Sequence, residues 1–138
     1  MLEVENTDYS IAQTEDILVS AYHEQIDSVD EARKIWGYCL RIENNSQKRL
    51  TLTTKDFCIT DSNGNTYHDC GLGFDGELPD LEPGEYFEFE DTAVINANTA
   101  ILYGFCHAQT ADGKKLKIKL PLIELSENQA PATTNLYN

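Results

Sequence analysis

Basic side chains are scarce in this chain: ten Lys and Arg stand against 24 Asp and Glu in 138 residues, a net charge of -14. That balance repels nucleic-acid phosphates and anionic membranes, and it leaves a basic protein as the partner that charge favours. Long apolar runs are missing as well; none reaches the roughly 18 residues that a membrane-spanning helix requires. The opening MLEVENTDYS is acidic and polar, unlike a secretory leader, so a cytoplasmic location is expected. In that compartment the sequon Asn44-Asn45-Ser46 carries no glycan. No CxxC pair occurs. Cys39, Cys58, Cys70 and Cys106 are widely spaced, which points to reduced thiols in or near the core.

What is present reads as one globular domain, with 41% apolar and 25% charged residues. IWGYCLRIENN alternates most clearly. Trp36, Tyr38, Leu40 and Ile42 share one face, and Gly37, Cys39, Arg41 and Glu43 the other, as in a half-buried antiparallel strand. ILVSAYHEQ places Ile17, Val19 and Ala21 on one face. LTLTTKDFCITD is rich in β-branched and aromatic residues, and DSNGN after it carries the Asn-Gly hairpin signal, read as two residues at positive φ. LEPGE is a Pro-Gly turn before YFEFEDTAVI, and AILYGFCHAQT pairs through ADGK with KLKIKLPLIEL. About seven short strands without a helix of consequence predict an all-β antiparallel sandwich. We expect a flexible arm over 1–13, the domain over 14–125 and a disordered tail over 126–138.

Several segments, taken in order, resemble the ApaG family. They are the strand Trp36, Tyr38, Leu40, Ile42 ending at Asn44, the hairpin FCITDSNG, and GLGFDGELPDLEPGEYFEFED. The last is similar to the family's Gly-x-Gly-Val-Val-Gly-x-x-Pro-x-Leu-x-Pro-Gly-x-x-Phe-x-Tyr. Thr54, Lys55 and Asp56 stand where the family has basic and histidine residues, and Phe57 stands for its tryptophan. The resemblance implies a fibronectin type III/immunoglobulin-like sandwich with no agreed enzymatic reaction. It also implies links to cobalt resistance and magnesium efflux in bacteria, protein binding in eukaryotic relatives, and a phosphate-binding role proposed for the glycine motif.

Gly71, Gly73 and Gly76 form a GxGxxG, but a dinucleotide loop needs a following helix, and Pro79 and Pro83-Gly84 prevent one. From Asp69 to Asp91 there are nine carboxylates and no Lys or Arg, a field hostile to a polyanion. The glycines are then expected to permit a tight crossing between strands. DSNGN lacks the glycine and glutamate of a calcium loop, so no EF-hand is present. His68 and Cys70 share a strand face that Cys106 could approach, too thin a set for an assigned metal, and no cofactor is expected. Cys106 and His107 point to opposite faces, and carboxylates around His68 and Cys70 disfavour a thiolate, so an enzyme is not expected. Lys115, Lys117 and Lys119 form a stripe that protects an edge strand or meets an acidic partner.

The leading expectation is a non-catalytic protein-interaction module that could also form a homodimer. Its surface is expected at Gly71, Gly73, Phe74, Asp75, Gly76, Leu78 and Leu81, with Phe74, Leu78 and Leu81 as apolar anchors among acids. The alternative is a domain that responds to a phosphate-containing ligand or to a divalent cation such as Mg2+ or Co2+.

Overall fold

Alternation decides the layers. In Lys34–Asn44 every second residue is buried, Trp36, Tyr38, Leu40 and Ile42 among them, so one face of this strand lies against the core as its pattern predicts. The structure, a computed structural model, describes residues 10–28 and 33–126. It contains ten strands and, among the described residues, no helix. They are β1 (Ser10–Thr14), β2 (Ile17–Ser28), β3 (Lys34–Asn44), β4 (Leu50–Asp61), β5 (Thr66–Leu72), β6 (Asp80–Leu81), β7 (Tyr86–Ile95), β8 (Thr99–Thr110), β9 (Lys115–Lys119) and β10 (Ile123–Ser126).

One sheet has the order β1-β2-β3-β7 and the other β10-β8-β4-β5, with every pairing antiparallel. β6 joins the edge of β4 that β5 occupies, and β9 joins the edge of β8 that β10 occupies. Each sheet is therefore four strand positions wide, and the count of about seven rises to ten because β1 and β6 are added and the last strand divides into β9 and β10. Ile17, Val19 and Ala21 from one sheet meet Leu52, Phe57, Leu102, Ile118 and Leu125 from the other in a continuous apolar core. Burying each such side chain contributes about 1.5–3 kcal/mol.

Two expectations change. Residues 10–13 do not belong to a loose arm; they form most of β1, paired to β2 through the two-residue turn Glu15-Asp16. The sequence is too polar to signal this, because an outer strand is held by its ladder rather than by an apolar face. Residues 1–9 and 127–138, and the loop centre 29–32, lie outside the described residues. At DSNGN, only Gly64 has positive φ (90°). Asp61 causes the difference: its carboxylate accepts from the amides of Asn63 (2.9 Å) and Asn65 (3.0 Å), which winds the turn as a three-residue loop closed by a glycine.

Candidate functional site

The segment from Gly71 to Glu85 runs down the free edge of β4 and then crosses to the other sheet. Gly73 N–H donates to Thr53 O (2.7 Å), Leu52 N–H to Pro79 O (2.8 Å), and β6 sets Leu81 opposite Leu50. Pro83-Gly84 turns the chain, with Glu85 N–H donating to Glu82 O (2.9 Å). Gly84 N–H then reaches Asn44 O (2.7 Å), and Asn44 N–H reaches Glu85 O (2.9 Å). Asn44 is fully buried and ties this crossing together, its amide donating to Lys48 O (2.8 Å) and Leu81 O (2.9 Å). Its position at the end of a strand pattern gave no sign of that role.

Within the segment, Phe74 and Glu77 exchange two backbone hydrogen bonds (2.8 and 3.0 Å) around Asp75 and Gly76, which lie at φ 54° and 87°. Two central residues at positive φ make a type I′ turn, for which Asp-Gly is a standard sequence. Gly73 has φ 76°, and a Cβ there would lie 2.5 Å from Glu77 O. Gly73 thus serves a close approach and Gly76 the turn, whereas a Cβ at Gly71 would meet no neighbour. The amide of Gly73 is engaged by Thr53 O of β4, and those of Phe74 and Glu77 by each other's carbonyls.

This hairpin corrects the expected anchors. Phe74 is only 1% exposed and packs edge-to-face on Phe87 (5.5 Å) and Phe89 (5.2 Å), with Phe57 at 6.3 Å. Leu81 is 5% exposed. Both belong to the core, because the turn sends Phe74 back between the sheets and pairing with β4 buries Leu81. Leu78 is 48% exposed, and Leu72, which the sequence did not single out, is 73% exposed. Asp75 and Gly76 are exposed at the loop tip and Gly71 lies along its start, while Gly73 is buried beneath.

A cation lies under the loop. β4 carries a bulge between Leu52 and Thr54, which shifts its phase so that Leu50 and Leu52 are buried before it and Phe57, Ile59 and Asp61 after it. Lys55 shares the second phase and its side chain is 10% exposed. Its Nζ lies 3.2 Å from Asp69 and 4.8 Å from the centre of the Phe89 ring. Tyr38 lies inside the same sandwich. Burial, then the charges of Asp91, Asp69 and Asp75, raises its hydroxyl pKa well above the usual tyrosine range. The carboxylate run also gains bases from elsewhere in the chain: Arg49, just before β4, pairs with Asp80 and lies 3.8 Å from Glu82, and Arg41 of β3 lies 3.6 Å from Glu88. Asp75 and Glu77 make no ion pair among the described residues.

The thiol and histidine candidates separate. His68 and Cys70 lie on the outer face of β5, whereas Cys106 is fully buried on the inner face of β8, where burial pushes its thiol up to about 12. Among the described residues no group of three His, Cys, Asp or Glu side chains is arranged to hold a metal ion. What β5 does bring together is His68 and Cys58, directly opposite each other in register, with Sγ and Nδ1 3.4 Å apart. Lys115, Lys117 and Lys119 are exposed along β9 while Leu116 and Ile118 are buried, as the alternation predicted. No helix in the described residues is long and apolar enough to cross a membrane.

Fold and site together define a two-sheet β-sandwich whose glycine motif builds a tight hairpin on the edge of β4, before the chain crosses to the other sheet at Pro83-Gly84. The ApaG domain matches residues 24–110, and the chain belongs to the ApaG family. It is similar to the ApaG protein of Sinorhizobium fredii, with 30% identity over 90% of this chain and 98% of that one. The ApaG protein of Agrobacterium fabrum is 31% identical over 83% of this chain and 90% of its own length. A crystal structure described as an ApaA protein from Bordetella pertussis shares the fold, with TM-score 0.78 and 21% identity over 83% of this chain and 96% of that one.

Proposed function

We propose that this ApaG domain is a non-catalytic protein-interaction module of the cytoplasm, with its contact surface on the loop from Gly71 to Leu81. One observation carries the reading. Leu72 and Leu78 are exposed on a segment fixed by backbone hydrogen bonds at Gly73, Phe74, Glu77 and Pro79, with Asp75 and Glu77 beside them. Apolar side chains held rigidly among charges suit recognition, since little loop entropy is lost on binding. The acids favour a basic partner. The phosphate-binding alternative has less support, because the amides it would use at Gly73, Phe74 and Glu77 already have partners.

The test is affinity capture with cross-linking, comparing the parent chain with Leu72→Asp/Leu78→Asp. Both positions are exposed, so the variant keeps its melting temperature. Loss of the parent's specific partners supports the surface, and capture of the same partners in the same amounts overturns it.

A further inference from the structure

Of the four cysteines, one contacts a histidine ring nitrogen. Cys58 Sγ lies 3.4 Å from His68 Nδ1, and the contact is built by the ladder, since Cys58 and His68 oppose each other across β4 and β5. On its other side Cys58 faces Tyr103 of β8. Tyr103 Oη and Thr60 Oγ1 lie 3.1 Å apart, as do the Thr60 and Thr66 hydroxyls, which fixes the neighbouring row of the same face. Cys58 is partly exposed, His68 and Cys70 are exposed, and among the described residues no other layer covers them. The remaining thiols differ. Cys106 is sealed in the core, and burial with Glu88 and Glu90 nearby raises the thiol of Cys39.

We propose that Cys58 is a modification site, a thiol that reacts with hydroperoxides and soft electrophiles with His68 as its base. With Nε2 protonated, Nδ1 of His68 accepts the thiol hydrogen. In the reaction this nitrogen takes the proton while the sulfur lone pair attacks the distal oxygen of ROOH. The S–O bond forms as the O–O bond breaks, and the proton passes from the imidazolium to the departing RO⁻. The products are Cys58–SOH and ROH; sulfur is oxidised by two electrons and the peroxide reduced. A small thiol R′SH can then displace water from the sulfenic acid, forming Cys58–S–S–R′ and H2O. The site is distinct from the Gly71–Leu81 loop surface and does not rest on it.

Competitive labelling of the full chain tests this. The purified protein is treated with limiting iodoacetamide, or with hydrogen peroxide plus dimedone, and each cysteine peptide is quantified by mass spectrometry. Cys58 should label faster than Cys70, although Cys70 is the more exposed, and Cys39 and Cys106 should lag behind both. His68→Gln should slow Cys58 several-fold, a fraction of the roughly 100-fold that a fully positioned base supplies, and leave Cys70 unchanged. A Cys58 rate no greater than that of Cys70, a His68→Gln variant with an unaltered Cys58 rate, or no dimedone adduct at Cys58 would each overturn the proposal. His68 is exposed, and an unchanged melting temperature verifies that the variant is folded.

Discussion

Replacing Phe74 with alanine separates a core residue from a binding anchor. The ring is 1% exposed and sits within about one ring width of three others, at 5.2 Å from Phe89, 5.5 Å from Phe87 and 6.3 Å from Phe57. A buried phenylalanine reduced to alanine costs about 3–5 kcal/mol, from lost transfer energy and the cavity left behind. The upper half of that range is expected, because edge-to-face pairs add about 0.5–1.5 kcal/mol beyond area burial. Against a total stability of about 5–15 kcal/mol this is a large fraction. The melting temperature should fall by roughly 10–20 °C. At a urea slope of about 2 kcal/mol per molar, the midpoint should drop by about 2 M. Trp36 is the single tryptophan and is buried, so its fluorescence reports the transition. Leu78→Ala in the same loop should change stability by no more than about 0.5 kcal/mol, as surface substitutions do. A Phe74→Ala variant that lost less than about 1 kcal/mol would refute the buried placement and return this side chain to the surface.

Gly73→Ala should destabilise by about 1–3 kcal/mol, from positive φ together with the 2.5 Å approach to Glu77 O, whereas alanine at Gly71 meets no neighbour and costs less; urea titration of both separates close approach from backbone preference. Acid stability should depend on Asp61 and Asp80. Amide hydrogen bonds from Asn65 and Asn63 hold the Asp61 carboxyl below its ordinary 3.8, and the Arg49 guanidinium does so for Asp80. A depressed folded pKa stabilises the fold fully above the unfolded value near 4 and progressively less as pH falls towards the folded one. Asp61→Asn should therefore lower stability at pH 7 and flatten its decline below pH 4, measured by urea titration at each pH; an unchanged acid limb contradicts the assignment.

Much of the domain is determined locally. Period two in residues 34–44 and 115–119 assigns their buried faces, because a strand has only two, and one apolar set must lie inward. Pro83-Gly84 places its turn, and Asp75-Gly76 contains the signal for the hairpin that buries Phe74, although an exposed reading of that phenylalanine overlooked it. The ordered motif from Gly71 to Asp91 is long enough to mark the family.

Tertiary structure decided the rest. Lys55 lies inside the sandwich because a bulge two residues earlier reverses the phase of β4, and a bulge exists only relative to a partner strand. Phe74 is buried against Phe57, Phe87 and Phe89, and Leu81 against Leu50 of β4, contacts that exist only once the strands have paired and the sheets have packed. Asp69 gains its cation from Lys55, and Asp80 from Arg49, across strands rather than along them. The pairing of Cys58 with His68 follows from register, which the Asp61 turn sets by its length. One residue more or less there would move every side chain of β5 to the opposite face. Sequence alone assigned the faces and the family; the contacts that distinguish core from surface at the glycine loop arose only when the two sheets closed over one another.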